Sequence, residues 1–377
     1  MATTTSALRP LRLGFLMVVT VVVGVWMAPW TTASGQVSAP AEVAVPPPVQ
    51  PAPVRVEERP GPFETVEAAG VSSPSPVGWL VDSGLVSDLV VFDGDFPDPD
   101  LVVDGESVYV YATNTLWSNV PVLAAVDGEP LTWIGDALPQ LPTWSEPNWV
   151  WAPSVTEIAD QWVLHYTTRH RDSGRQCVSV ATSDSPAGPY VDASTEPLVC
   201  ALDEGGAIDP SVVADGDWVW LLWKSDGNCC GRPTVIYAQE LSDDGTRFVG
   251  EPSELIRNDL AWERDVVEGP SMIERDGVWH LFYAANRWDT VEYRTGHAVC
   301  ASVSGPCVKD PEPWLVADDV VAGPGGLEII ELVGSDQDLA VYHGWDADQI
   351  GYPGGLRKLY VQLVSWVDGQ PVLERTS

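Results

Sequence analysis

Positive charge is scarce in this chain. Nineteen lysines and arginines face 54 aspartates and glutamates across 377 residues, for a formal net charge of −35. A surface this acidic repels phosphate backbones and anionic membranes. Nucleic acid is therefore excluded as a natural partner, and a neutral polysaccharide or oligosaccharide is the better match. Histidine is sparse too, with five copies, and none of the six cysteines forms a Cys-x-x-Cys motif beside a histidine pair. That argues against zinc. His165, His170, His280 and His297 show no ligand spacing. Long amphipathic helical patterns are missing after residue 63, which leaves an all-β reading.

Tryptophan is abundant, with 18 copies. Indole rings build β-rich cores and also make flat platforms for sugar rings. The N-terminus has the order of an export signal: Arg9 and Arg12, the apolar run LGFLMVVTVVVGVWMA from Leu13 to Ala28, then the small residues Ala33, Ser34 and Gly35. Residues 1–35 are read as a signal peptide or a retained N-terminal anchor, the run being long for the first and short for the second. Residues 36–62 are rich in Pro, Val, Ala and Glu and are expected to form a disordered linker. The folded domain is expected over 63–377. This order predicts a secreted, extracellular protein, or one held at the cell surface through that anchor, and a monomer. Six cysteines agree with an oxidising compartment. The expected pairs are Cys177 with Cys200 and Cys300 with Cys307, each within one repeat; the adjacent Cys229 and Cys230 are candidates for a vicinal bridge, and the sequence leaves the connectivity open.

Self-similarity is the main signal. Five segments share one outline of apolar stretch, proline, strand, tight turn and aromatic strand: FPDPDLVVDGESVYVYATN, VWAPSVTEIADQWVLHYTT, AIDPSVVADGDWVWLLWKS, VEGPSMIERDGVWHLFYAAN and AGPGGLEIIELVGSDQDLAVYHGW. Their prolines are Pro99, Pro153, Pro210, Pro270 and Pro324, spaced by 54, 57, 60 and 54 residues. Asp104-Gly105, Asp215-Gly216 and Asp276-Gly277 read as two-residue hairpin turns. About four strands per unit make a propeller blade, whose two apolar faces are buried only by stacking around an axis. The prediction is a five-bladed β-propeller with four-stranded antiparallel blades. Residues 84–92 or 359–366 are the candidates for completing the ring.

The residue before each aligned proline starts an innermost strand beside the channel. These residues are Asp98, Ala152, Asp209, Gly269 and Gly323, with Glu268 one position earlier in the fourth repeat. Three blades thus aim a carboxylate at one channel. Like charges crowded at an axis are unfavourable and raise at least one pKa, an arrangement that chemistry needs and structure does not.

On these motifs the sequence resembles glycoside hydrolase family 43, the arabinanase, β-xylosidase and α-L-arabinofuranosidase family of five-bladed propellers. The carriers are FPDPDLV, WAPSV, AIDPSVVADGD and VVEGPSMIERDG, with LLWKSDGN, VATSDSPAGPY, LFYAANRW and YHGW in support. The resemblance implies hydrolysis of arabinose- or xylose-containing saccharides with inversion. Asp98 would be the general base that activates water, Glu268 the general acid, and Asp209 the residue that tunes and orients the acid. An inverting pair stands about 6.5–9.5 Å apart, leaving room for that water. No cofactor is required, although many members hold a structural calcium ion in the channel with a histidine in a Gly-Pro-Gly-His segment. Here that segment is Gly323-Pro324-Gly325-Gly326, which leaves His343 of YHGW as the candidate ligand, its alternative being a hydrogen-bonded core residue.

Substrate contacts are expected from Trp151 as the floor of a sugar site, from Trp117 and Trp144 at the rim, and from Arg357, which resembles a basic residue that some members place near the acid. The competing readings are core indoles, covers of blade ends and a surface salt bridge. Two other functions stay open on sequence alone: a non-catalytic carbohydrate-binding propeller, and a retaining fructan hydrolase.

Overall fold

The computed structural model describes residues 85–126 and 129–374. The expected leader and linker, and the first residues of the folded domain, lie outside the described residues. Strand β1 (Ser87–Phe92) comes first, and five antiparallel sheets follow. The first blade is β2 (Asp100–Asp104), β3 (Ser107–Tyr111), β4 (Pro121–Val126) and β5 (Thr132–Asp136). The second is β6 (Ser145–Ile158), β7 (Gln161–His170) and β8 (Gln176–Ser183). The third is β9 (Ala207–Asp215), β10 (Trp218–Ser225), β11 (Val235–Glu240) and β12 (Ser253–Arg257). The fourth is β13 (Val267–Arg275), β14 (Val278–Ala285), β15 (Arg294–Cys300) and β16 (Cys307–Lys309). The last is β17 (Val321–Ile330), β18 (Gln337–Asp346), β19 (Lys358–Val367) and β20 (Gln370–Leu373).

The protein is a five-bladed β-propeller, and two blades depart from the plain four-stranded pattern. In the second blade the outer edge is irregular chain touching β8 only at Val178–Val199 and Thr182–Val191. In the last blade the outer position is shared. β1 pairs with β19 around Leu359 and Val361, and β20 pairs with β19 from Val364 to Val367. Both candidate closing segments thus meet in one blade, and the ring is closed by strand pairing between distant parts of the chain.

Five apolar clusters fill the five gaps between neighbouring blades. Leu101, Val108 and Val110 of the first blade meet Leu339, Val341 and Val361 of the last. Val163 and Val178 of the second meet Val219, Leu221 and Trp223 of the third. Each fully buried side chain of this kind contributes about 1.5–3 kcal/mol, and no blade has a private core to fall back on.

The hairpin turns differ from expectation by one residue in two blades. Asp104 pairs with Ser107 and Asp215 with Trp218, so the turn residues are Gly105-Glu106 and Gly216-Asp217. Glycine then takes the first central position with φ of +60° and +58°, which suits it better than aspartate. Asp276-Gly277 is a turn as read, and Ala159-Asp160 forms one without glycine, with φ of +51° and +60°.

The start of every innermost strand is kinked in the same way. Asp98, Ala152, Asp209, Gly269 and Gly323 all have φ between +43° and +55°. This left-handed conformation is strained for a residue with a side chain, least so for aspartate. Neighbouring blades hold the kinks in place. Thr113 Oγ1 accepts the Ala152 N–H at 2.9 Å, Thr167 Oγ1 accepts that of Asp209 at 3.0 Å, and His343 Nδ1 accepts that of Asp98 at 3.0 Å. Two residues further on, Asp100, Ser154 and Ser271 accept backbone N–H groups of the next blade from Val155, Val212 and Ile329. The result is a rigid channel mouth, which orients whatever the kinked residues carry.

Candidate active site

A cavity of about 500 Å³ opens at the end of the channel where the innermost strands begin, and Asp98, Asp209 and Glu268 line it together. That volume lies within the range of small-molecule sites. All three carboxyls are partly open to solvent.

Asp98 comes from the kink before β2. Burial alone would raise its pKa, but the Arg357 guanidinium, 3.3 Å from Oδ1, and the Thr113 hydroxyl, 2.7 Å from Oδ2, hold it below the usual carboxylate value. It is therefore ionised across the neutral range and faces the cavity as an acceptor. Asp209 behaves in the opposite way. Burial, and next the charge of Glu268, push it up to about 7, although Lys224 acts against this rise. Its Oδ2 accepts the Gly269 N–H at 2.9 Å, tying Asp209 to the residue beside Glu268.

Glu268, at the start of β13, is held at both oxygens. Lys224 donates to Oε2 at 3.0 Å and the Tyr293 hydroxyl donates to Oε1 at 3.0 Å. Lys224, next to last in β10, has no exposed side-chain surface, donates also to Asn228 Oδ1 at 2.8 Å and lies 3.7 Å from Asp226. Burial would lower its pKa, but the charges of Glu268, Asp209 and Asp226 outweigh burial and hold it above the usual lysine value. Burial and then the charge of Glu268 push the Tyr293 phenol far up, so that it stays a donor. The site thus sets an ionised Asp98 against Asp209, a carboxyl raised to about 7 beside Glu268, the kind of division of labour that acid–base chemistry requires.

Of the expected sugar contacts, Trp151 lines the cavity, with its ring 5.7 Å from that of Trp149. Trp144 takes the other of its two readings, the cover of a blade end. It is buried, its indole N–H donates to Ser194 Oγ at 3.0 Å, and its ring lies against His170, so it covers the second blade and does not rim the cleft. Trp117 is 89% exposed on the β3–β4 connection and is not part of the cavity wall. Asn114 pins that connection to Val150. Arg357 lines the cavity, but beside Asp98 and not beside Glu268. It is no surface salt bridge: it is 9% exposed and packs over the rings of Trp288 and Tyr352, 4.8 and 5.9 Å from their centroids.

Lys224, Tyr293, Trp288, Tyr352 and Thr113 were not singled out from sequence. Lys224 carried a signal, as the one charge in the apolar strand WVWLLWKS. Thr113 has its counterpart in Thr167, at the same place in the second repeat and with the same bond to the next kink, whereas Tyr293, Trp288 and Tyr352 sit where blades differ and carried none.

His343 does not fit a metal ligand. Burial and then Arg357 push it down to about 3, so the ring is neutral, as a ligand also must be; the obstacle is where its one proton sits. Nδ1 accepts from Asp98, which leaves the proton on Nε2, a buried donor with no partner among the described residues. A side chain at Gly326 has no room either, since a Cβ there would stand 2.7 Å from His343 Nδ1 and 3.0 Å from Asp98 Oδ1, at a φ of +55°. A histidine at Gly326 would have to displace the His343 ring. Among the described residues no three His, Cys, Asp or Glu side chains gather to hold an ion.

Both expected disulfides, Cys177–Cys200 and Cys300–Cys307, are present, and the adjacent Cys229 and Cys230 are bridged as well.

Comparison with known proteins agrees with this fold. The profile of glycosyl hydrolases family 43 matches residues 88–371. A β-D-galactofuranosidase of Aspergillus niger is 25% identical over 270 residues, covering 67% of this chain and 75% of the relative. A probable arabinan endo-1,5-α-L-arabinosidase A of Aspergillus flavus is 24% identical over 298 residues, covering 73% and 89%. Among solved structures, a thermostable family-43 glycoside hydrolase superposes with a TM-score of 0.67 at 24% identity, over 78% of this chain and 95% of its own. An endo-1,4-β-xylanase from Bacteroides thetaiotaomicron gives 0.63 at 25% identity, over 76% and 96%.

Proposed function

The chain belongs to glycosyl hydrolases family 43, and from that premise we propose that it hydrolyses arabinose- or xylose-containing saccharides with inversion, using Asp98 as base and Glu268 as acid. The carrying observation is the convergence of Asp98, Asp209 and Glu268, from three blades, on one cavity.

In this scheme Asp98, ionised and oriented by Arg357 and Thr113, takes a proton from water as its oxygen attacks the anomeric carbon. The Asp209–Glu268 couple supplies the proton to the departing oxygen. Lys224 and Tyr293 fix the direction in which Glu268 faces. Trp151, Trp288 and Tyr352 offer ring faces to the sugar, and Trp117 reaches a longer substrate from its exposed loop. No step is routed through a metal ion.

A second substrate class has a specific support. One relative is named for β-D-galactofuranosides, so galactofuranosides join arabinan, arabinoxylan and xylan in the decisive screen. Proton NMR of the first-formed anomer tests the stereochemistry: inversion is expected, and retention overturns the scheme.

We also read the protein as a secreted monomer, held at the cell surface if the leader is retained. Three disulfides support export. N-terminal sequencing of the protein recovered from its producing cells tests export, and size-exclusion chromatography tests the monomer.

A further inference from the structure

The Cys229–Cys230 disulfide stands at a place where a staple alone has little to do. The two residues are adjacent, so the bond closes no loop, yet Cys229 lines the cavity beside Asp226 and Asn228. Along this wall Lys224 lies buried at the floor against Glu268, Asn228 accepts from Lys224 further out, and the exposed cysteines stand at the mouth.

The segment carrying them is stiff. The Asp226 N–H donates to Gly206 at 3.0 Å, the Cys229 N–H to Asp226 at 3.2 Å, and the Arg232 N–H to Gly227 at 2.9 Å. From the neighbouring blade, Arg175 Nη1 approaches Cys229 Sγ to 3.1 Å and Cys230 Sγ to 2.7 Å. The pair is clamped by Arg175 while Cys229 still borders the cavity. Two bonded sulfurs are polarizable and apolar, the property that the C–H face of a sugar ring meets well in a pocket otherwise edged by charge.

We propose that the Cys229–Cys230 disulfide is a substrate-contacting wall of the cavity mouth, packing its sulfur face against a sugar ring beyond the bond being cleaved and so setting the preference for longer substrates. The proposal rests on the glycosidase reading above. It differs from a role through Asn228 and Lys224, which would act on the chemical step for every substrate alike.

The test compares the full chain with its C229S/C230S variant on α-1,5-linked arabinotriose and on 4-nitrophenyl α-L-arabinofuranoside. The expected result is that the ratio of KM for the trisaccharide to KM for the aryl glycoside rises at least about fivefold, with kcat affected less than KM. An unchanged ratio, or an equal loss of kcat on both substrates, overturns the proposal. If the variant does not fold, the native protein is partly reduced with dithiothreitol and capped with iodoacetamide. Peptide mapping selects material alkylated only at the exposed Cys229 and Cys230, Cys177 and Cys300 being buried. The same rise is expected there, and its absence overturns the proposal. If the wild-type protein cleaves neither probe, the sugar assignment fails separately. Calorimetric binding of arabinotriose to both forms then decides for the wall if the variant binds more weakly, and against it if the two bind alike.

Discussion

Replacing Asp209 by asparagine should destroy activity and stabilise the fold, and the gain should depend on pH in one direction. Folding raises this carboxyl from 3.8 to about 7. Between those values the folded state binds more protons than the unfolded chain, so this group's contribution to stability is complete below pH 3.8 and is lost as pH rises through 7. The full loss is at most about 4 kcal/mol above neutrality, from roughly 1.4 kcal/mol per unit. Asparagine never ionises, and its side-chain oxygen still accepts the Gly269 N–H. Part of the gain is offset because Lys224 loses one of its three negative neighbours, though Glu268 and Asp226 remain. The assay is the melting temperature of both proteins from pH 4 to pH 8. At pH 4 the two should nearly coincide. At pH 8 Asp209→Asn should melt several degrees higher, on a scale of roughly 2 °C per kcal/mol for a domain of this size. A difference that does not grow with pH, or a variant less stable at pH 8, refutes the reasoning.

Other expectations rest on single contacts. Arg357→Met removes the charge that holds Asp98 below its usual value, so the acid limb of kcat/KM should move to higher pH; an unmoved limb would detach Arg357 from the base. Gly326→Ala forces a side chain against His343 and Asp98 at positive φ and should cost about 1–3 kcal/mol; a denaturant midpoint equal to wild type would show that the pocket yields freely. Thr113→Val leaves the Ala152 N–H unpaired and takes a donor from Asp98. Urea unfolding should show a loss of about 1–3 kcal/mol, with a fall in kcat alongside; no change in either would remove Thr113 from the stitch.

How much of this was legible in the sequence follows from what repeats. The aligned prolines mark a backbone kink needed once per blade, so the five channel positions, and with them Asp98 and Asp209, could be read by register alone. Glu268 could be read one place earlier because its blade keeps the same outline. The outer edges could not. Their strands pair at the rim, where composition is loose, and the split outer position of β1 and β20 has no sequence signature. The turn residues in the first and third blades lay one place off because Asp-Gly and Gly-Asp/Glu look alike until strand register is known. Trp144 and Trp117 had similar sequence surroundings, yet one lies under the second blade and the other stands in solvent. Lys224 shows the remaining limit. A charge buried in a strand is visible in sequence, but its partner 44 residues away is set only when two blades stack.

The claim on which the account turns is that Glu268 gives its proton to the departing oxygen. The direct measurement is kcat of Glu268→Gln on an arabinose or xylose oligosaccharide and on the matching 2,4-dinitrophenyl glycoside, whose leaving group departs without protonation. The account predicts a loss of roughly 10²–10⁴-fold on the oligosaccharide and a far smaller loss on the aryl glycoside. Equal losses on the two substrates would contradict it.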